Sequence, residues 1–248
     1  MSNLRYGLKE VANVIFFDIA TNKPALFFDT LKVSTIENES ESAEARGGQG
    51  NGKLMSWDFG RTATLTMQDA LLSDTSLAML AGSTVEDTDI KVVGREVLTT
   101  VDNLGELEVT LKESPIANSV TAYGYKGGVM LKELTATVAD KVVTVEGEDI
   151  VAGDQVMVFY EYTVATGATK VTFSGDKFPA TYRVVGDTIV RGQDGIDRKM
   201  QFVIPQAKLQ SSFSLTMDAE NVSTFDFTLD VLLEAGTNRM YDIIRLGN

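Results

Sequence analysis

Residues 27–82 read FFDTLKVSTIENESESAEARGGQGNGKLMSWDFGRTATLTMQDALLSDTSLAMLAG, and this stretch decides the fold. Apolar and polar residues alternate at 31–36 and, more regularly, at 61–68. Because successive side chains of a strand point to opposite faces, both segments are predicted to be strands with one face toward a core. After residue 68 the apolar residues no longer alternate one by one with polar residues, as they do in a strand. Ser73 or Asp74 at the start and Gly82 at the end then predict one short helix.

The second of these strands is predicted to have one small polar face. Ala63, Leu65 and Met67 point toward the core in this interpretation. The opposite face then carries Thr62, Thr64, Thr66 and Gln68. A strand of this kind is typical of an antiparallel sheet with one side in water.

Between the two strands lie an acidic run at 37–44 and a glycine-rich segment at 47–52. Glu37, Glu39 and Glu41 share one side of an extended chain, where their like charges repel. The run is therefore either a solvated loop or a surface that meets a basic partner. Asn51 and Gly52 indicate the turn of a long hairpin.

The glycine-rich segment GGQGNGK resembles a phosphate-binding loop, but the resemblance fails at the next position. Leu54 stands where a Ser or Thr hydroxyl would hold magnesium, and residues 54–59 alternate like a strand. Without a following helix, the backbone amides do not converge on an anion. We therefore do not predict nucleotide binding through Lys53.

Composition excludes several kinds of chemistry. The 248 residues include no cysteine and no histidine, so disulfides, Cys or His zinc sites and imidazole-dependent triads are ruled out. The net charge of −13 disfavours binding to phosphates, which needs clustered Lys and Arg, and otherwise favours solubility. No signal peptide and no membrane-spanning run is predicted. We expect no cofactor, no metal and no enzymatic activity.

Two carboxylate pairs are candidates for acid–base chemistry or calcium. Asp226 and Asp230 share a strand face about 13 Å apart, too far for a shared proton or ion. Asp218 and Glu220 have the composition of a turn. Both pairs are interpreted as surface groups. Trp57, the single tryptophan, is either a contact anchor or a packing residue beside Phe59.

Outside the central stretch, the chain continues as short strands. Residues 14–18 and 25–29 predict a hairpin that turns near Pro24. Alternation at 212–218 and 225–231 predicts a long antiparallel pair whose outer face is small, polar and acidic. That outer face is exposed either to solvent or to a water-filled channel.

Short strands recur at close intervals from about 91 to 164, with no helical segment between them. This texture fits either an inserted small β-sandwich of immunoglobulin-like type or one continuous sheet, and we favour the insert. The predicted domains are 1–90 with 165–248, and 91–164. The predicted fold is mainly β: an antiparallel β-sandwich or half-barrel with one short flanking helix, plus the inserted sandwich.

Several segments together resemble structural proteins of tailed bacteriophages, most of all a major tail tube protein. These segments lie within 1–90 and 165–248, and the middle resembles the immunoglobulin-like additions of some such proteins. The segments are RGGQGN at 46–51 leading to Trp57, LTMQDALLS at 65–73, FPATYR at 178–183, FVIPQAKL at 202–209 and STFDF at 223–227.

The resemblance implies a virion subunit, made in the bacterial cytoplasm, that forms six-membered rings stacked into a tube through which DNA passes unbound. It implies contacts with other copies and other tail proteins. The 34–56 hairpin would reach the next ring and become ordered on assembly, with its glutamates meeting Arg183, Arg191 or Arg198. The contact residues would be Glu37, Glu39, Glu41, Glu44, Arg46, Asn51 and Lys53. The channel would be lined by Thr62, Thr64, Thr66 and Gln68, or by Asp226, Thr228 and Asp230.

Two alternatives remain at this point. A capsid decoration or baseplate protein would share the sandwich without polymerising. A monomeric β-sandwich module that binds carbohydrate or protein would expose aromatic side chains, and Trp57, Tyr123 and Tyr125 are the candidates.

Overall fold

The structure is a computed structural model that describes residues 5–8, 10–220 and 224–247. Ser223, in the last of the phage-like segments, lies outside the described residues. The chain divides into two compact units, Met1–Val85 with Val171–Asn248 and Glu86–Lys170.

Strands dominate both units, as predicted, and the described residues contain one helix, α1 (Asp74–Ala81). The strands are β1 Tyr6–Leu8, β2 Asn13–Asp18, β3 Pro24–Phe28, β4 Leu31–Gly47, β5 Gly52–Asp69, β6 Val85–Thr99, β7 Val101–Asn103, β8 Glu106–Thr110, β9 Thr121–Lys126, β10 Val129–Ala139, β11 Val142–Glu146, β12 Gln155–Val171, β13 Thr181–Gly192, β14 Asp197–Leu209, β15 Phe225–Val231 and β16 Asp242–Arg245.

The first unit is built on one nine-stranded antiparallel sheet in the order β3-β2-β13-β14-β15-β5-β4, with β1 beside β13 and β16 beside β14. The sheet curls, because its two end strands β3 and β4 are separated in the chain only by residues 29–30. Phe28 of β3 packs 5.0 Å from Phe227 of β15, four strands away along the sheet. The sheet does not close into a barrel, so the predicted antiparallel, half-barrel architecture is confirmed.

Alternation fills the concave side of this sheet with apolar residues. Leu65 and Met67 of β5 are fully buried there, as predicted, beside Phe16, Ile204 and Leu229. These side chains come from four different strands, so the core holds together segments that are distant in sequence. Helix α1 adds Leu80 to the same cluster.

Helix α1 begins and ends as the sequence predicts. Ser73 is the N-cap and accepts a hydrogen bond from the Ser76 amide, and the Ser76 hydroxyl accepts one from the Ser73 amide. Gly82 ends the helix at φ 60°, where a Cβ would lie 2.3 Å from the carbonyl oxygen of Phe178. Only glycine avoids that clash.

The predicted strand at 212–218 is wrong. Strand β15 is paired with β14 on one edge and with β5 on the other, so no edge is left for a further strand. Leu215 and Met217, expected on an inner face, are 45% and 88% exposed. The alternation at 212–218 therefore occurs in an irregular segment.

The second unit is a seven-stranded antiparallel sheet in the order β6-β12-β9-β10-β11-β8-β7. Strand β10 connects two halves, because its first part pairs with β9 and its residues 135–139 pair with β11. Side chains from both halves, including Val158 of β12 and Val143 of β11, form one buried cluster. The halves thus pack face to face as the two layers of a small sandwich.

Replacing Gly186 of β13 by alanine is expected to destabilise the first unit. A Cβ there would lie 2.1 Å from Cζ of Phe202, whose ring is buried in the core and cannot move away. Overpacking of this kind lowers the free energy of unfolding by about 1–3 kcal/mol. Urea unfolding followed by circular dichroism measures the change.

Gly175→Ala is the matched control, since its Cβ would meet no heavy atom within 4 Å. Its free energy of unfolding should change by less than about 0.5 kcal/mol. Equal stability of the Gly186→Ala and Gly175→Ala proteins would contradict the packing described for β13.

Candidate functional site

Three neighbouring strands of the first unit share a face of small polar and acidic side chains. Directly paired residues of antiparallel strands lie on the same face, and Thr66 of β5 pairs with both Thr35 of β4 and Thr228 of β15. Every second residue of each strand lies on the same face as these paired threonines. We call this face the polar face; it comprises Thr35, Glu37 and Glu39 of β4, Thr62, Thr64, Thr66 and Gln68 of β5, and Asp226, Thr228 and Asp230 of β15.

The sequence left open whether the β5 residues or the β15 residues would line a channel. In the structure the two sets lie side by side on one face, because β15 pairs with β5 from Phe225 opposite Asp69 to Asp230 opposite Thr64. This pairing joins residues about 160 positions apart in the chain. The glutamates at 37 and 39 extend the same face onto β4.

Hydrogen bonds hold part of the polar face in place. The Gln68 side-chain amide donates to Asp226 Oδ1 at 3.0 Å, and the Gln210 amide donates to Asp230 Oδ1 at 2.8 Å. Lys208 of β14 pairs with Asp230 and places one cation at the border of the face. With four carboxylates, the face repels phosphate more than it attracts it.

The carboxylates of the polar face are spread along the strands. Among the described residues, no three acidic, His or Cys side chains lie close enough to hold a metal ion. Asp218 and Glu220, the other candidate pair, lie outside regular strands, and the Glu220 amide donates to Asp218 Oδ1 at 3.0 Å. This local bond fits the turn composition of that segment.

Strands β4 and β5 form a hairpin that projects from the sheet. Their pairing continues to Gly47 opposite Gly52, and the turn has positive φ at Gly48, Gly50 and Asn51. The predicted hairpin turn is therefore confirmed, but the expected long loop is a paired strand. The two strands of the hairpin are paired in the single chain as far as Gly47 and Gly52.

A β-bulge interrupts this hairpin at its base. Glu39 pairs with Thr62 and Glu41 pairs with Phe59, so Gly60 and Arg61 of β5 lie opposite the single residue Ser40. Gly60 adopts φ 61°, a conformation that glycine accepts without strain. Because β5 has one residue more than β4 at this point, the β5 side chains between the bulge and the turn lie on the opposite side from the one that an unbroken alternation would give.

Beyond the bulge, the hairpin therefore has an apolar side continuous with the polar face. Met55, Trp57 and Phe59, here called the apolar stripe, are 58%, 54% and 51% exposed. Ala45 and Ala43 pair with Met55 and Trp57 on this side. From the sequence, Trp57 was either a contact anchor or a packing residue, and nothing indicated that Met55 and Phe59 lie at the surface. Gly60 was the one local signal that could have revealed the reversal.

The opposite side of the hairpin is charged. Glu44 accepts hydrogen bonds from Arg46 and lies 2.6 Å from the Lys53 ammonium. These two cations, first Lys53 and then Arg46, hold the pKa of Glu44 below its usual range. Lys53 thus lies in a strand beside a carboxylate, with no helix after it, which agrees with the absence of a phosphate-binding loop.

The predicted contact residues do not form one surface. Glu37 and Glu39 lie on the polar face, and Glu41 lies on the same side of β4 beyond the bulge. Glu44, Arg46 and Lys53 lie on the charged side, while Asn51 lies at the turn.

The three arginines expected to receive the glutamates already have partners in the single chain. Arg183 donates to Asn22 and lies over the Phe17 ring. Arg191 makes two hydrogen bonds of 2.6 Å to Asp197, which lower the pKa of that carboxyl. Arg198 binds Asp194 through both oxygens and lowers its pKa to about 2. A contact with the glutamates would have to displace these partners.

These features define a class of protein: a mainly β chain with an open curled sheet, one broad acidic polar face and one projecting hairpin. A family model gives the particular family. The model of the YomU/Tube protein family matches residues 6–245, and the chain belongs to this family.

The family is phage-related, and its name indicates a tube protein, which is consistent with a structural role in the virion and implies a virion location. A search of the curated proteins finds no match. In the described part of the chain, no helix is long and apolar enough to cross a membrane.

The pairing of Arg198 with Asp194 can be tested by titration. We expect the Asp194 carboxyl to titrate at about pH 2 instead of near 3.8, because the guanidinium stabilises its charged form. The stabilisation is therefore present above pH 3.8 and is lost as the pH falls toward 2. Carboxyl chemical shifts followed by NMR give the value.

In the Arg198→Gln variant the pKa of Asp194 should rise toward its ordinary value, while Arg239→Gln, at a distant ion pair with Glu234, should leave it unchanged. An Asp194 carboxyl that titrates near 3.8 in the unaltered protein would show that Arg198 is available to other partners.

Proposed function

We propose that this chain is the subunit of a phage tail tube, assembling into hexameric rings that stack into a channel for DNA. The observation that carries the proposal is the polar face, which spans three adjacent strands in a chain of a tube family. Its role is mechanical instead of catalytic. Its partners are further copies of itself and other tail proteins.

Ring formation would use the open edges of the sheet. Within the described residues, β3 and β4 end the sheet, and each has one edge without a paired strand. Unpaired edge amides and carbonyls favour pairing with another chain. Six copies joined through such edges would form one continuous barrel around a channel.

The polar face would line that channel. Thr and Gln side chains offer weak, exchangeable hydrogen bonds, and the carboxylates of Glu37, Glu39, Asp226 and Asp230 repel the phosphates of passing DNA. Tight DNA binding would need clustered cations, whereas the face carries four carboxylates, with Lys208 at its border. DNA would therefore slide without being held.

The β4–β5 hairpin would connect neighbouring rings. Near its base, the Asn38 side-chain amide donates a hydrogen bond of 2.7 Å to the Tyr241 hydroxyl. From Asn38 to Gly47 the strand extends roughly 30 Å, at the usual rise of about 3.3 Å per residue. This length is enough to overlap an adjacent copy. In the same proposal, the second unit is an immunoglobulin-like addition to the tube.

Electron microscopy of the purified protein over a concentration series tests the function, with light scattering to report mass in the same samples. We expect rings and hollow tubes of uniform width at high concentration. A chain that stays monomeric throughout would overturn the proposal in favour of a monomeric binding module or a decoration protein.

A shortened hairpin separates ring formation from stacking. Glu41 and Phe59 are directly paired, so residues 42–58 can be replaced by Asn-Gly, which favours a two-residue hairpin turn. The shortened chain should fold with an unchanged melting temperature and form rings that do not stack. Long tubes from this variant would show that the hairpin does not connect rings.

Charge reversal tests the assignment of the channel. Tubes of the Glu37→Lys, Glu39→Lys, Asp226→Lys variant should retain duplex DNA on sedimentation at low salt, because three exposed lysines per copy would then line the channel. Unaltered tubes should release it.

The control for this variant has the same net charge, with Glu106→Lys, Glu148→Lys and Asp149→Lys at exposed positions of the second unit. Control tubes should not retain DNA. Equal retention of DNA by the two variants would show that the polar face does not line the channel.

A further inference from the structure

The apolar stripe is unusual because of where the bulge places it. The apolar residues of β5 occupy every second position, at 55, 57 and 59 and again at 63, 65 and 67, so both groups fit one uninterrupted alternation. In a regular strand all six would point to the core side. The two residues at 60–61 send Met55, Trp57 and Phe59 to the other side, beyond the polar face.

At that position the stripe is not covered by the unit itself. All three residues are more than half exposed. Ala45 and Ala43, paired with Met55 and Trp57, are too short to shield them, and Phe59 is paired with Glu41. Contiguous exposed apolar patches are uncommon on monomeric proteins and indicate a binding surface. An isolated two-stranded hairpin is also marginally stable in water and gains from packing against another surface.

The charges on the hairpin argue against an ionic contact. Glu44 is already neutralised by Arg46 and Lys53 on the side opposite the stripe. Arg191 and Arg198 are already bound to Asp197 and Asp194. With a net charge of −13, two copies repel each other at long range, so their attraction must come from another source.

We propose that the apolar stripe of Met55, Trp57 and Phe59 is the surface with which the hairpin binds a second copy of this chain. Burial of these three side chains provides the attraction, and the glutamate run does not. The inference rests on the proposed function, which supplies the second copy as the occupant, and on the length of the hairpin, which projects far enough to overlap it.

Trp57 is the only tryptophan in the chain, so its fluorescence reports directly on the stripe. The experiment records emission and light scattering together as the protein concentration is raised. We expect the emission to shift to shorter wavelength in step with the increase in mass, because the indole leaves water. Added salt should leave the assembly concentration unchanged or lower it, since salt screens the repulsion between copies.

Two outcomes separate this inference from the proposed function. Assembly without a shift in Trp57 emission, or assembly that salt abolishes, would overturn the inference and leave the tube function standing. A chain that remains monomeric would overturn the proposed function and the inference with it.

Two double variants, both of which retain Trp57, provide a second test of the stripe. Met55→Ser with Phe59→Ser removes apolar surface from the stripe, and Ser56→Ala with Asp58→Ala alters the opposite side of the same strand. We expect the first variant to need at least tenfold higher concentration for stacking and the second to change it less than twofold. Circular dichroism melts check that both fold. Equal assembly of the two variants would overturn the inference.

Discussion

The pairing of β4 with β5 fixes the side of the sheet on which the side chains of both candidate surfaces lie. A strand has a period of two, so individual residues cannot change sides independently, whereas one extra residue moves every following side chain. The bulge at 60–61 is such an insertion, and the positive φ of Gly60 allows it without strain. The bulge separates the polar face, on the side of the sheet, from the apolar stripe, on the side of the hairpin turn, and it places both on the same side of the strands.

Electrostatics in this chain act mainly to keep copies apart. Arg46 and Lys53 of the hairpin, Arg191 of β13 and Arg198 of β14 are bound to carboxylates of the same chain. Exposed ion pairs contribute little to stability, but they withdraw their members from contacts with other chains. The excess of carboxylates produces a repulsion that salt screens over about 8–10 Å. For the proposed contact of the hairpin, the attraction would come from apolar burial, at roughly 25 cal/mol per Å² of surface removed from water.

Local pattern was enough to predict most elements of the first unit. The alternation at 61–68 and the capping residues Ser73 and Gly82 each gave the correct element, because strand period and helix caps are set by neighbouring residues. The same reasoning failed at 212–218, where the alternation is equally regular. Whether such a segment becomes a strand depends on a free sheet edge, and β5 and β14 occupy both edges of β15.

The candidate site was predicted residue by residue but not as a surface. Both polar sets were identified, yet their union depends on the β15–β5 register, which no local pattern contains. The apolar stripe was hidden for a different reason. The apolar residues at 55–59 and at 63–67 fall in the same alternation, so the pattern alone gives no sign that they lie on opposite sides, and a glycine within a strand also occurs at bends and at close backbone approaches.

The two sides of the hairpin also restrict how it can meet another chain. Burying Glu44, Arg46 and Lys53 would remove three charges from water, a desolvation cost that their mutual attraction does not reliably offset. The charged side must therefore stay in solvent while the stripe is covered. In the proposed contact, such a hairpin would lie along the surface of its neighbour with one side only, and would not insert between two neighbours. In the proposed contact, affinity would therefore depend on Met55, Trp57 and Phe59.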